Sequence, residues 1–151
     1  MNTQETKTPG RGWFKAGAIG LIVFGGVHLF AVYHGLAEKP STAEEVACEK
    51  AMLALRFDMG PFHSTAWHTD MILNASFSAL LIYSGIINLM ALHGIVAAGR
   101  LCAVAALNAS LCFTLVIFCL LGRFPPPIVF AGGCSLLFGI AFLRGSAGAR
   151  I

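Results

Sequence analysis

The sequence predicts an all-α fold, an integral membrane four-helix bundle with an amphipathic helix in its first outer loop. Composition is the first reason, because 57% of the 151 residues are hydrophobic and only 11% are charged, against about 25% charged residues in soluble domains. The second reason is that long uncharged stretches alternate with short charged segments. The mean hydropathy of +0.78 excludes a disordered chain. A net charge of +3 is too weak to indicate nucleic-acid binding.

Four uncharged stretches each have the length of a membrane crossing. The four longest gaps between charged residues hold 22, 29, 22 and 20 residues, and a helix needs about 20 apolar residues to cross a core roughly 30 Å thick. Backbone groups in lipid must bond within their own segment, which favours helix. The transmembrane domain is predicted over 16–144, between tails 1–15 and 145–151, with spans at 16–36, 71–92, 100–121 and 126–144.

Two turns are predicted among the last three spans. The prolines that follow Phe124 cannot continue a helix, because each lacks a backbone donor and clashes with the preceding turn. A tight turn is therefore predicted from Gly122, between the third and fourth spans. His93-Gly94 and the small residues before Arg100 favour another turn, between the second and third spans.

The outer loop, residues 37–70, is the segment with soluble character. Ser41-Thr42-Ala43-Glu44 has the form of a capping box, in which Ser41 caps a helix and Glu44 bonds back to it. The apolar residues that follow share one helical face, which predicts an amphipathic helix over about 42–57, ended by Met59-Gly60-Pro61. We expect this helix to lie on the membrane surface or over the end of the bundle.

The distribution of Lys and Arg favours an N-in, C-in orientation, since basic residues are retained on the cytoplasmic side. That orientation places six basic residues inside: Lys7, Arg11, Lys15, Arg100, Arg144 and Arg150. It places four outside: Lys39, Lys50, Arg56 and Arg123. Gly35-Leu36-Ala37 has the form of a signal-peptide cleavage site, but the apolar stretch before it is longer than the apolar region of a signal peptide.

Polar side chains within the spans indicate which helix faces meet, because lipid-facing positions tolerate few of them. Asn74, Ser78 and Asn88 fall within about 80° on the second span, at about 100° per residue. Asn108 lies in the third span and His28 in the first. One interpretation is that they join the helices by hydrogen bonds of about 0.6–2 kcal/mol each. The other is that His28 and the asparagines line a polar cavity for a small ligand.

His28 is the one side chain deep in a predicted span that titrates near neutral pH. It could bond to another helix, bind a proton or a ligand, or ligate haem or a metal together with His34 or His68. The interiors of the other spans contain no histidine, which disfavours a bis-histidine haem. The outer loop and its flanks supply weak candidate metal ligands without a tight zinc signature: His34, His63, His68 and Asp70.

The sequence contains no recognisable catalytic constellation. The five cysteines include no CxxC pair and are expected to act mainly as small apolar side chains, although Cys48 could pair with Cys119. No glycine-rich phosphate loop and no Ser-His-Asp arrangement is recognisable. The absence of Asp, Glu, Lys and Arg from the span interiors disfavours an ion-coupled transporter. These observations favour a protein that is not an enzyme and carries no cofactor, and they leave a haem or a metal open.

Short motifs resemble those of a known family. The first span contains Gly25-Gly26-Val27-His28, and Trp67 precedes Leu73-Asn74-Ala75-Ser76 and Ser78. On these motifs the chain resembles a family of small, uncharacterised, four-span bacterial membrane proteins. The resemblance implies a four-helix bundle in a bacterial inner membrane and singles out His28, Trp67, Asn74 and Ser78. It supplies no activity.

Counting residues from the ends of the predicted spans places two of these residues at similar depth in the membrane. His28 lies about 8 residues, roughly 12 Å, from the outer end of the first predicted span. Ser78 lies one to two turns below the start of the second, so the two side chains fall at similar depth and could meet. The full set of candidate ligand-binding residues is His28, Trp67, Asn74, Ser78, Asn88 and Asn108.

The sequence thus favours a membrane component that binds a hydrophobic ligand or lipid, or that packs into a larger membrane complex or a homo-oligomer. Two alternatives stay open. One is a haem- or metal-binding redox subunit that uses His28 and the outer-loop histidines. The other is an oligomeric channel or transporter.

Overall fold

Long helices dominate the structure, a computed structural model that describes residues 10–95, 98–121 and 126–148. The elements in chain order are α1 Arg11–Ala37, α2 Ala43–Ala54, β1 Arg56–Met59, β2 Phe62–Thr65, α3 Ala66–Met90, a π-helical turn Ala91–Ile95, α4 Ala98–Leu121 and α5 Pro126–Gly148. Within the described residues, four helices are long and apolar enough to cross a membrane, over Arg11–Gly35, Ala66–His93, Arg100–Leu121 and Pro127–Ser146. The predicted all-α integral membrane fold is confirmed.

The long helices extend beyond several of the predicted spans. Both α1 and α3 begin five residues earlier, at 11 and 66 instead of 16 and 71, and α5 continues to 148 instead of 144. A helix does not have to end where its apolar residues end, because its backbone bonds can continue into the interface. Both predicted turns fall wholly or partly outside the described residues, as do 1–9 and 149–151 of the tails.

The outer loop differs from the prediction in two ways. Thr42 is the N-cap of α2 and forms the capping box with Glu45, one residue later than the predicted pair of Ser41 and Glu44. The helix ends at Ala54 rather than near 57, and the following residues form an antiparallel hairpin in which Arg56 pairs with Thr65. Gly60 and its neighbour form the turn, where a φ of +63° suits glycine. A stretch predicted to end a helix is thus a strand.

The chain divides into two compact units, Met1–Phe24 with Leu81–Ile151, and Gly25–Leu80. The first unit contains parts of all four long helices. Phe14 of α1 and Phe138 of α5 are fully buried and meet edge to face at 5.3 Å between ring centroids. Phe24 stacks on Phe130 at 5.2 Å. These aromatic pairs join α1 to α5 within the first unit, the first pair in its core and the second at its edge, since Phe130 is exposed.

Small residues set the closest helix approaches in the first unit. A Cβ on Gly85 of α3 would lie 2.6 Å from the carbonyl oxygen of Ala18 of α1, so only glycine fits there. On α5, Ala131 is buried and Ser135 donates to the carbonyl oxygen of Ala109 of α4 at 3.0 Å. These contacts complete a four-helix bundle made from α1, α3, α4 and α5.

The second unit contains the end of α1, the helix α2, the hairpin and the start of α3. The backbone N–H of Ala66 donates to the carbonyl oxygen of Leu55 at 2.9 Å, which ties the start of α3 to the end of α2. Val46, Glu49 and Met52 are the half-buried residues of α2, and none of its residues is fully buried. All five cysteines are among the described residues and are free thiols, so the pairing of Cys48 with Cys119 does not form.

Candidate functional site

A chain of hydrogen bonds connects α1 to α3 in the second unit. The Nδ1 atom of His28 lies 2.8 Å from the Oγ atom of Ser78, and that hydroxyl donates to the carbonyl oxygen of Asn74 at 3.0 Å. Because the single hydroxyl proton is directed to Asn74, this pattern assigns the Nδ1–H donor to His28. The contact between His28 and Ser78 that depth arithmetic suggested is present.

Helix geometry explains why these side chains meet. His28 stands nine residues before the end of α1, about 14 Å along the helix axis. Ser78 and Asn74 are one turn apart on the same face of α3, so the Ser78 hydroxyl reaches the carbonyl oxygen four residues earlier. Ser78 is fully buried and His28 is half-buried, with Phe77 edge to face against the imidazole at 5.3 Å.

Exposed apolar side chains flank this polar group along both helices. Val27, Leu29 and Phe30 on α1 are all exposed, as are Leu73 and Leu80 on α3. Exposed apolar residues of that kind are suited to contact with lipid tails. The imidazole and hydroxyl therefore form a small polar site in an apolar setting. Their two protons are directed to Ser78 and Asn74, so the site is suited to accept hydrogen bonds.

The side chains of Asn74 and Trp67 do not take part in the contact between His28 and Ser78. The amide of Asn74 donates to the carbonyl oxygen of Asp70 at 2.9 Å, a bond within its own helix. Trp67 lies in the first turn of α3, where it lines a cavity of about 530 Å³. That cavity lies within the second unit, at the end of α1 and the start of α2. Glu38, Lys39, Glu45, Cys48 and Glu49 also line it.

Asn88 and Asn108 form a separate group in the first unit. Each amide donates to the other's side-chain oxygen at 3.0 Å, and Asn108 donates also to the carbonyl oxygen of Val104 at 2.8 Å. Both residues are buried. Because each amide binds the other, this pair acts as a bond between α3 and α4. The hydrogen bonds therefore sort the sequence candidates into two groups, His28 with Ser78 and Asn88 with Asn108.

The three candidate histidine ligands each have a local partner, and Asp70 contributes its backbone carbonyl oxygen to Asn74. Nδ1 of His34 lies 3.5 Å from a carboxylate oxygen of Glu38, one helical turn away. His63 and Asp58 face each other across the hairpin at 2.6 Å. His68 bonds to the hydroxyl of Thr65 at 2.8 Å. Among the residues that the structure describes, no three His, Cys, Asp or Glu side chains come close enough together to hold a metal ion.

Two features of the second unit were missed by sequence reasoning. The first is the cavity beside Trp67, although the spacing of Glu45, Cys48 and Glu49 already places these three on one helix face. The second is the cap geometry. Backbone N–H groups of Ser41 and Thr42, and the Ser41 hydroxyl, hold the pKa of the Glu45 carboxyl below its ordinary value.

Comparison with known proteins gives no further assignment. No protein-family model matches the chain, and neither a curated protein nor a solved structure matches it. The fold and the side-chain geometry therefore carry the functional argument.

Proposed function

We propose that this protein is a non-enzymatic membrane protein that binds a hydrophobic small molecule or a lipid through His28 and Ser78. The observation that carries the proposal is the half-buried imidazole, bonded at 2.8 Å to a buried hydroxyl between two apolar helices. Polar groups at such positions carry a free-energy cost in lipid and are commonly associated with function. With its Nδ1–H donor directed to Ser78, the neutral imidazole presents an acceptor at Nε2, which suits a hydroxyl group on an otherwise apolar ligand.

The proposed setting is a bacterial inner membrane with both termini in the cytoplasm. The basic residues of the first unit support it: Arg11, Lys15, Arg100 and Arg144 are all described there, with no described acidic residue. Arg11 donates to the carbonyl oxygen of Leu92 at 2.8 Å, and Arg144 lies over the ring of Trp13 at 5.6 Å. Tryptophan and arginine at helix ends are typical of a membrane interface. A larger membrane complex or a homo-oligomer is compatible with this role.

The ligand proposal is tested by thermal stability in detergent, with decylubiquinol, which carries hydroxyl groups, and purified phospholipids as probes. We expect one of these probes to raise the melting temperature of the wild-type protein, and His28→Ala and Ser78→Ala to abolish that shift. Ser76→Ala is the matched control, because Ser76 is exposed two residues away on α3. An equal shift in all four proteins, or no shift in any, would contradict a site at His28.

Two further measurements on the same purified protein test the two alternative functions, a redox subunit and a channel or transporter. A Soret band or a stoichiometric metal would replace the ligand-binding proposal with a redox subunit that uses His28 with His34 or His68. Ion or solute flux into liposomes containing the wild-type protein, absent from empty liposomes, would favour the oligomeric channel or transporter. A colourless, metal-free and impermeable sample supports the proposed role.

A further inference from the structure

The cavity beside Trp67 has the chemistry of a cation site. Its wall carries the carboxylates of Glu38, Glu45 and Glu49 against the single ammonium group of Lys39, a formal charge of −2. Its volume of about 530 Å³ lies within the range typical of small-molecule sites, roughly 300–1,000 Å³. The walls come from the end of α1, the first turns of α2 and the first turn of α3.

The negative charge of this cavity is not neutralised by neighbouring side chains. Among the described residues, no Lys or Arg lies within 4.0 Å of a carboxylate oxygen, and the two ion pairs present both use histidine. Glu38 has one of these partners, His34, and Glu45 bonds to the N-terminal turn of α2. Glu49 is half-buried, and no hydrogen bond or ion pair is formed by its carboxylate among the described residues.

Trp67 adds an aromatic ring to these carboxylates. The indole is half-buried in the cavity wall, in the first turn of α3. An electron-rich aromatic face attracts organic cations, and tryptophan does so more strongly than tyrosine or phenylalanine. Carboxylates supply the rest of the attraction. A small inorganic cation would instead need several oxygen ligands converging at about 2.0–2.6 Å, and the described residues gather no such group.

We propose that this cavity binds an organic ammonium group, carried either by the headgroup of an amine-bearing lipid or by a soluble amine. In this proposal the quaternary or primary ammonium lies against Trp67 and Glu49. If the carrier is a lipid, its phosphate takes the ammonium of Lys39, which lines the same cavity, as partner. The inference goes beyond the proposed function, because neither His28 nor Ser78 lines this cavity. Each proposal can therefore fail while the other stands.

Cys48 reports on the cavity from inside, because it is an exposed free thiol in the wall. The test compares its reaction with two methanethiosulfonates, one carrying a trimethylammonium group and one a sulfonate. Modification is read from the Cys48 peptide by mass spectrometry. The rate ratio, cationic reagent over anionic reagent, is divided by the same ratio for 2-mercaptoethanol, which corrects for the intrinsic reactivity of the two reagents. One unit charge about 6 Å away in water changes the local concentration of a monovalent ion by roughly threefold. We expect the cationic reagent to react at least tenfold faster.

Charge-neutral variants locate the effect. Glu49→Gln removes one negative charge from the cavity wall. It should slow the cationic reagent and speed the anionic reagent by roughly threefold each, so we expect the rate ratio to fall by about tenfold. Asp58→Asn is the matched control, because Asp58 lies on β1 rather than on the helix that carries Cys48, is exposed and does not line the cavity. The control should change the ratio by less than about threefold. Equal changes in both variants, or a wild-type ratio near one, would overturn the proposal.

Protection of Cys48 from the uncharged reagent N-ethylmaleimide distinguishes the two sources of the amine. Discs of phosphatidylethanolamine are compared with discs of a neutral glycolipid, and ethanolamine or tetramethylammonium is then added to the latter at constant ionic strength. Protection in the phosphatidylethanolamine discs assigns a lipid headgroup. Protection only by the added amines assigns a soluble ligand. In either case Trp67→Leu should remove the protection, and equal protection by sodium chloride, or none at all, refutes the site.

Discussion

Asn88 on α3 and Asn108 on α4 exchange two hydrogen bonds of 3.0 Å, each amide donating to the oxygen of the other. Both are buried in a unit whose other core side chains are mainly apolar. This reciprocal arrangement satisfies amide groups that would otherwise be left without a partner at a helix interface. It fixes α3 against α4 in both rotation and axial position.

Replacing one member of that pair should destabilise the protein more than replacing both. Asn108→Leu leaves the Asn88 amide without its partner, and we expect a loss of about 1–2 kcal/mol in unfolding free energy. The double variant Asn88→Leu with Asn108→Leu should recover part of that loss, because no buried polar group is left unpaired. Reversible unfolding in mixed detergent gives the free energy of unfolding of the wild-type protein, of each single variant and of the double variant. Strict additivity of the single effects would contradict the pairing.

Gly85→Ala should destabilise the bundle. The new Cβ would lie 2.5 Å from Cγ1 of Ile22 and 2.6 Å from the carbonyl oxygen of Ala18, and the backbone oxygen cannot move without shifting α1. We expect a cost of about 1–3 kcal/mol from overpacking, measured by the same unfolding assay. Gly139→Ala is the control, because nothing lies within 4 Å of the position that its new methyl group would take, and it should be neutral or slightly stabilising. A neutral Gly85→Ala would be inconsistent with this helix approach.

Phe14→Ala should be among the most destabilising single substitutions in the first unit. Its ring is fully buried against Phe138, so truncation leaves a cavity and should cost about 3–5 kcal/mol. Phe30→Ala on the same helix provides the comparison, since that side chain is 65% exposed. We expect its effect on the melting temperature in detergent to be small. Similar losses of stability in the two variants would contradict the orientation of α1, which turns Phe14 into the core and Phe30 outward.

The start of α2 should loosen in acid. Hydrogen bonds from the backbone of Ser41 and Thr42 lower the pKa of Glu45, so its ionised form is favoured in the folded cap. The stabilisation is therefore complete above the ordinary glutamate pKa and is lost as the pH falls through the lowered value. Hydrogen exchange at the first amides of α2, corrected for the intrinsic pH effect, measures this loss. Glu45→Gln should flatten the pH profile, whereas Glu44→Gln should leave it unchanged.

The four spans could be derived from the sequence because a membrane crossing depends on length and on the absence of charge, both of which are read along the chain. Depth along the helices placed His28 and Ser78 at a similar level, so the sequence allowed their contact, and the fold formed it. The hairpin at 56–65 was missed. Its first residues also fit the end of the amphipathic helix predicted over 42–57, and strands of four residues are too short to show a pattern of their own. The cap lies one residue later than predicted. Glu44 stands three positions after Ser41 as Glu45 does after Thr42, so the capping-box spacing fits both pairs, and the folded loop forms the later one.

The order of residues along the chain was enough to give the number of crossings and the approximate depth of each polar residue. The pairing of polar groups came from the folded arrangement alone: Asn88 meets Asn108, Asn74 bonds within its own helix, and Trp67 lines a cavity with Glu49. This difference arises because both faces of a membrane helix are apolar, so hydropathy does not reveal its rotation. Rotation is chosen by side-chain packing between helices, and the partners follow from it.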